Sequence, residues 1–170
     1  MHELAAGITS NNDIYGAVRN PYDVQLIPGG SSGGTAVAIA AGLTPAGLGT
    51  DTGGSCRIPA ALCGIAGMRP TQGRYADDGH VPHRSATATI GPMARNVTDL
   101  ALLDSVITGN RITLPSITAD KIRLGIPMSP FRENLDQEII PVIAAAFEIL
   151  RNNGVQLVPV EVDGLSDLMN

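Results

Sequence analysis

The sequence predicts an α/β protein from the order of its helices and strands. Ile122 to Val160 runs strand, helix, strand, and Thr35 to Gly49 runs from a helix of small residues into a short apolar strand. A strand–helix–strand unit implies a parallel strand pair, hence the α/β class.

The elements follow in chain order. Residues 1–30 read as mostly loop, with turn signals at Asn11-Asn12, Asn20-Pro21 and Pro28-Gly29-Gly30. Thr35 to Leu43 reads as a helix with Gly42 near its end, and Ala46 to Gly49 as a short buried strand. Gly49 to Ser55 reads as a glycine-rich loop, and Ile58 to Cys63 as a helical turn that tolerates Pro59 at its start. Asn96 opens a helix through Ile107, with Leu100, Leu103, Val106 and Ile107 at helical spacing. Residues 108–120 read as loop. Ile122 to Ile126 is a strand stopped by Pro127. Asp136 is placed to cap a helix from Gln137 to Asn153. Ile139, Ile143, Ala146, Phe147 and Leu150 give that helix one apolar stripe, Pro141 past its first turn is placed to bend it, and Gly154 suits its C-terminal cap. Val155 to Val160 is the second strand, and Glu161 to Asn170 has no partner element.

Composition narrows the function classes. The chain has 170 residues, 44% hydrophobic but only 3% aromatic, with 20 glycines. Its core must therefore come from small aliphatic side chains packed against backbone. Net charge is −5, and the basic residues, Lys121 and ten scattered arginines, form no cluster. A nucleic-acid partner needs a basic patch, so that class is excluded. Val24 to Thr50 carries no charge, yet its prolines, glycines and the Ser31-Ser32 pair exclude a membrane span. The start, Met1-His2-Glu3-Leu4, lacks the features of a signal peptide. Cys56 and Cys63 lack metal-site spacing and read as buried free thiols of a reducing, cytoplasmic compartment.

Two loops carry candidate chemistry. One is Gly29-Gly30-Ser31-Ser32-Gly33-Gly34; the other runs from Gly49 through Thr52-Gly53-Gly54-Ser55 to Pro59. Glycine lets backbone N–H groups turn toward a ligand, and consecutive inward N–H groups form an anion site. A serine ending such a loop places its hydroxyl beside donors that stabilise an oxyanion. Ser55 holds that position. Each loop alone also reads as a tight turn. Neither carries the lysine of a phosphate-binding loop. Gly29 to Gly33 also fits G-x-S-x-G, which would make Ser31 a nucleophile and needs an Asp and a His later in the chain. Asp77, Asp78, His80 and His83 are the residues available, in one short cluster.

Taken together, a glycine-framed double serine is followed 24 positions later by a second glycine-framed serine. The stretch GGSSGGTAVAIAAGLTPAGLGTDTGGSCRIPAALCG, residues 29–64, closely resembles the amidase-signature family. The likeness starts at MHELAAGITSN and continues through GMRPT, GPMAR and the strand from Ile122, so it covers essentially the whole chain. MHELAAGITSNN, GRYADDGHVPHR and GPMARNVTDLALLD look most like the indoleacetamide and mandelamide hydrolase branch.

The resemblance implies a mixed central β-sheet flanked by helices, of which residues 1–170 would be a partial domain. It implies a hydrolase of small carboxamides, with Ser55 as the nucleophile that is acylated. Ser31, on a non-proline cis peptide bond and within hydrogen-bond reach of Ser55, would relay the proton to a lysine. Backbone N–H groups of Thr52, Gly53, Gly54 and Ser55 would form the oxyanion hole. Ser32 would support the loop, and Asp51 and Arg57 would hold its shape by an ion pair. His2, His80 and His83 have no catalytic part in such a mechanism. No metal or organic cofactor is implied, and a full-length enzyme of this kind can be a homodimer. The family's catalytic lysine precedes the double serine, but the 30 residues before Ser31 contain no lysine. Lys121 belongs to a different motif at the head of a strand and reads as a surface residue. The expectation is a chain that lacks its N-terminal lysine segment and C-terminal part, and is inactive alone. The alternatives are a non-catalytic remnant and the amidase subunit of a glutamyl-tRNA amidotransferase.

Overall fold

A computed structural model gives the fold and describes residues 1–76, 78–81, 87–127 and 135–162. They fall into two compact units, Met1–Leu114 and Pro115–Asn170.

The first unit opens with irregular chain broken only by a 3-10 turn at Glu3–Ala5. Helix α1 is Gly33–Ala40, strand β1 Ala46–Asp51, helix α2 Arg57–Leu62, strand β2 Ala66–Gly67, strand β3 Thr89–Ala94 and helix α3 Val97–Thr108. The three strands form an antiparallel sheet with β3 central, Ala46 facing Ala94 and Asp51 facing Thr89. Strand β1 thus runs two residues further than expected, so that Gly49 and Thr50 belong to the ladder and only the residues after Asp51 form the loop.

Strand β3 is absent from the sequence reading because Pro92 interrupts it. The ladder accommodates that proline. Pro92 faces Leu48, whose carbonyl accepts from Thr35 Oγ1 at 3.1 Å, so it points away from β3 and the pair needs no N–H from Pro92. On the other side β2 ends at Gly67, opposite Met93, one residue before it would need that N–H.

Thr35 is one of three hydroxyls along the outer edge of β1. Thr44 Oγ1 donates to the Ala46 carbonyl at 2.8 Å, and Ser32 Oγ to the Thr50 carbonyl at 3.3 Å. The core lies between α1, α2 and the sheet: Ala36, Ile39, Cys56, Ala60, Cys63 and Met93 are buried, with Val37, Ala40 and Ile65 against them. Small side chains suffice because backbone comes close. A Cβ on Gly91 would meet the Met68 carbonyl oxygen at 2.6 Å and Cys56 Sγ at 2.7 Å. Both cysteines are buried and free. The uncharged run is buried from Pro28 to Gly33, while Val24, Leu26, Leu43 and Leu48 are exposed.

Helix α3 starts as its sequence directs. Asn96 Oδ1 accepts from the Asp99 N–H at 2.9 Å, and Gly109 ends the helix at φ 69°. Its Asp104 is buried. Arg74 grips that carboxylate at 2.8 and 2.6 Å, and the Tyr75 hydroxyl donates to it at 2.8 Å. The cluster fastens the 71–75 segment to α3.

The second unit contains a 3-10 turn at Ala119–Lys121, strand β4 Arg123–Pro127, helix α4 Ile139–Asn152 and strand β5 Gln156–Val160. The strands pair in parallel, Arg123 beside Gln156 and Pro127 beside Val160, as the strand–helix–strand reading requires. Helix α4 begins two residues later than expected. Asp136 does not cap it; its carboxylate accepts from the Glu138 N–H at 2.9 Å in a turn ahead of the helix. Pro141 therefore lies in the first turn, where its missing N–H costs nothing. Of the expected stripe, Ile143, Phe147 and Leu150 are partly buried, while Ile139 and Ala146 are exposed. Lys121 is exposed, as expected. Asp77, His83, residues 128–134 and the chain from 163 onward lie outside the described residues.

Candidate active site

The site is built where the ends of two glycine-rich loops meet short helices. Ser31 and Ser32 lie immediately before α1, and Ser55 two residues before α2. The Ser32 N–H donates to the Ser55 carbonyl at 3.1 Å, which ties the loops backbone to backbone. Ser32 acts again through its side chain. Its Oγ accepts from the Thr50 N–H at 3.2 Å and lies 4.0 Å from Cys56 Sγ, so it supports the strand leading into the second loop.

The second loop folds around Asp51, which is fully buried. Its carboxylate accepts from the N–H groups of Gly54 at 2.8 Å, Cys56 at 3.1 Å and Arg57 at 3.4 Å. Arg57 adds Nε at 3.1 Å and Nη2 at 2.9 Å, and Arg69 Nε stands 3.8 Å away. Burial pushes the Asp51 carboxyl up, but the Arg57 guanidinium and the Cys56 and Arg57 N–H groups outweigh it and hold the carboxyl below its ordinary value. The ion pair foreseen between Asp51 and Arg57 is present. The third partner, Arg69, gave no local signal because it stands 18 positions after Asp51.

Asp51 also alters the expected donor set. The Gly54 N–H, assigned to an oxyanion hole, is directed at the carboxylate and is not free for a ligand. The N–H groups of Thr52, Gly53 and Ser55 make no hydrogen bond among the described residues. Gly53 is exposed, and a Cβ placed on it would meet nothing within 4 Å. Ser55 is half-buried beside it.

The first loop is held from outside. The Gly30–Ser31 peptide bond is cis. Ser31 is fully buried, and its Oγ alone among the described buried side-chain oxygens and nitrogens has no hydrogen-bond partner. It therefore does not make the expected hydrogen bond to the Ser55 hydroxyl. The Ser31 carbonyl accepts from the His2 N–H at 2.8 Å. Ser10 Oγ donates to the Gly29 carbonyl at 2.9 Å and reaches the Ser31 carbonyl at 3.2 Å, while accepting from the Gly33 N–H at 3.0 Å. The sequence reading missed Ser10 altogether.

The nucleophile-elbow alternative finds no frame. An elbow stands between a strand and a helix, and the residues before Gly29 form no strand. Of its four candidate partners, Asp77 and His83 lie outside the described residues, Asp78 is exposed and His80 is half-buried. Cys56, next to Ser55, is fully buried; burial and the neighbouring Asp51 charge push its thiol up to about 12. It is a core residue. Among the described residues no three His, Cys, Asp or Glu gather as a metal site, and no helix is long and apolar enough to cross a membrane.

Fold and site together define an α/β protein with a paired-serine-loop site. Residues 1–170 match the family described as Amidase, and the chain belongs to that family. Indoleacetamide hydrolase of Agrobacterium vitis is 46% identical over 168 residues, covering 99% of this chain and 36% of the relative. A glutamyl-tRNA(Gln) amidotransferase subunit of Chromohalobacter salexigens is 40% identical over 176 residues, covering 95% of this chain and 36% of its own. A crystal structure of an amidase superposes with a TM-score of 0.90 at 36% identity, over 99% of this chain and 39% of that one. The native peptide amidase of Stenotrophomonas maltophilia gives 0.79 at 32% identity, over 95% and 37%. The chain thus spans little more than a third of the length of these relatives.

Proposed function

We propose that this chain carries the nucleophile loops of a carboxamide hydrolase. The observation that carries the reading is the Ser32 N–H bond to the Ser55 carbonyl, which gathers both serines and the free N–H groups of Thr52, Gly53 and Ser55 into one site.

In this reading Ser55 Oγ attacks the amide carbonyl carbon. Its proton passes through the Ser31 hydroxyl to a base. The carbonyl oxygen becomes an oxyanion that accepts from the Thr52, Gly53 and Ser55 N–H groups; one such donor is typically worth about 2.7–4 kcal/mol of barrier. The C–N bond then breaks, and the nitrogen leaves with the relayed proton as ammonia or an amine. Water adds to the Ser55 ester and releases the acid. The buried, unpartnered Ser31 Oγ suits a hydroxyl that passes a proton onward. The resemblance makes the base a lysine, and no lysine stands before Ser31 in these 170 residues. Asp51 and Arg57 shape the loop without touching substrate.

The relatives' names nominate indoleacetamide as the first substrate to assay. A second reading, an amidotransferase component using glutamine, is supported by the 40% identical relative and is tested in the same assay with glutamine as nitrogen donor. In the complete gene product, Ser55→Ala abolishes hydrolysis and labelling by a fluorophosphonate, while Ser31→Ala slows turnover severely and leaves some labelling. Labelling lost in Ser31→Ala but kept in Ser55→Ala would overturn the assignment.

A further inference from the structure

Ser10 is a fully buried polar side chain at a left-handed backbone position, φ 53°, where residues other than glycine are uncommon. Its surroundings explain why a serine stands there. A serine hydroxyl is one donor and two acceptor sites. Here Ser10 Oγ gives its hydrogen to the Gly29 carbonyl, with the Ser31 carbonyl in reach, and takes one from Gly33 N–H. Those three backbone groups flank the Ser31 Cα on both sides. The contact is too close for any other residue at 33, since a Cβ there would overlap Ser10 Oγ. The Ser10 carbonyl also accepts from the Val18 N–H at 3.1 Å, which anchors the residue in its own loop.

We infer that Ser10 is a positioning residue for Ser31. By fixing the Gly29 carbonyl and the Gly33 N–H, two residues to either side of Ser31, it sets the direction in which the buried Ser31 Oγ points, and so the relay between Ser55 and the base. The inference rests on the proton-relay role proposed above for Ser31. Ser31 Oγ has no side-chain or backbone partner of its own among the described residues, so its direction is set by its backbone and not by a hydrogen bond. The His2 N–H holds the Ser31 carbonyl from outside the loop, while Ser10 Oγ holds the Gly29 carbonyl and the Gly33 N–H on either side of Ser31. His2 contributes only main chain there, which leaves Ser10 as the side chain whose loss would release Ser31.

The test uses the complete gene product. Ser10→Ala, Ser10→Gly and Ser10→Cys are made with Ser31 present and in a Ser31→Ala background. Each is measured for kcat and KM on an amide substrate, and for the rate at which a fluorophosphonate labels Ser55. With Ser31 present, removal of the hydroxyl lowers kcat and the labelling rate by about 100-fold, as displacement of a reacting group does, and leaves KM within about twofold. In the Ser31→Ala background the same change lowers the labelling rate by less than about threefold, because the group through which Ser10 acts is gone. Ser10→Cys, which keeps a weak donor, restores part of the rate. A purely structural serine would lower the melting temperature and the fraction of labelled sites while kcat per labelled site stayed at the wild-type value. Equal losses in the two backgrounds would likewise overturn the positioning role. Glycine suits the positive φ, so Ser10→Gly carries the test where Ser10→Ala fails to fold. Labelling that survives Ser55→Ala would overturn the proposed function itself, a result read without any Ser10 variant.

Discussion

The two serine loops are held by opposite devices. The first, around Ser31, is gripped by a neutral hydroxyl that arrives from more than twenty residues away, together with one N–H from His2. The second, around Ser55, is wound on a charge of its own, the Asp51 carboxylate, with Arg57 six positions later as counter-ion. A neutral clamp sets direction and is blind to pH. A buried carboxylate concentrates several backbone donors on one point, and its strength depends on staying ionised.

Asp51→Ala should have the largest effect. It strips buried N–H groups of Gly54 and Cys56 of their acceptor, at about 1–3 kcal/mol each, for a total loss of about 3–5 kcal/mol. Denaturant unfolding of the complete gene product reads that loss, and labelling of Ser55 falls with it. An unchanged midpoint would show that the carboxylate does not hold the loop. Arg57→Met should cost less, about 1–2 kcal/mol by the same measurement. The Arg57 side chain is 51% exposed, so part of its attraction is already screened, and Arg69 remains 3.8 Å away.

Acid separates the loops further. The Asp51 carboxyl is held below its ordinary value in the folded state. The unfolded chain therefore takes up the proton first. The stabilisation is complete above the unfolded pKa, about 3.9, and is lost as pH falls through the lower folded value. Asp104, held low first by Arg74 and then by Tyr75, adds a loss of the same sign. A stability profile from pH 6 to 2 should fall below about pH 4 and fall less steeply in Asp51→Asn; superimposable slopes would contradict the assignment.

Two smaller effects bear on the second loop. Gly53→Ala should leave the midpoint within about 0.5 kcal/mol, because its methyl enters open space, yet slow Ser55 labelling about tenfold by standing where a carbonyl would approach. Least of all, iodoacetamide at pH 8 should leave Cys56 unmodified in the folded protein, since the thiol is buried and pushed up to about 12. Mass spectrometry checks both reactions at once.

The second loop was largely legible in the sequence and the first only in part. Asp51, Ser55 and Arg57 lie within one short stretch that the family resemblance covers, and so few residues of chain keep them close. Ser10 meets its partners only after the chain has folded back over 19 to 23 residues, and a lone serine in a loop announces nothing. A longer separation, 30 and 29 positions, hid Arg74 and Tyr75 from Asp104. Strand β3 was hidden by local chemistry: Pro92 argues against a central strand unless the register on both sides is known. The strand–helix–strand unit was readable because its pattern is local, although the turn at Asp136 moved the start of α4.

The three hydroxyls along β1 have a consequence for how this protein behaves among copies of itself. An outer strand with bare carbonyls is a template onto which another chain can add. Thr44, Thr35 and Ser32 occupy the Ala46, Leu48 and Thr50 carbonyls in turn, so the strand that delivers Asp51 to the site offers no matching row of acceptors to a stranger. The seal is made of side chains, so it can be undone one hydroxyl at a time without breaking the ladder to β3. Crowded conditions, such as those during synthesis, are where a chain with this seal removed would begin to recruit its neighbours.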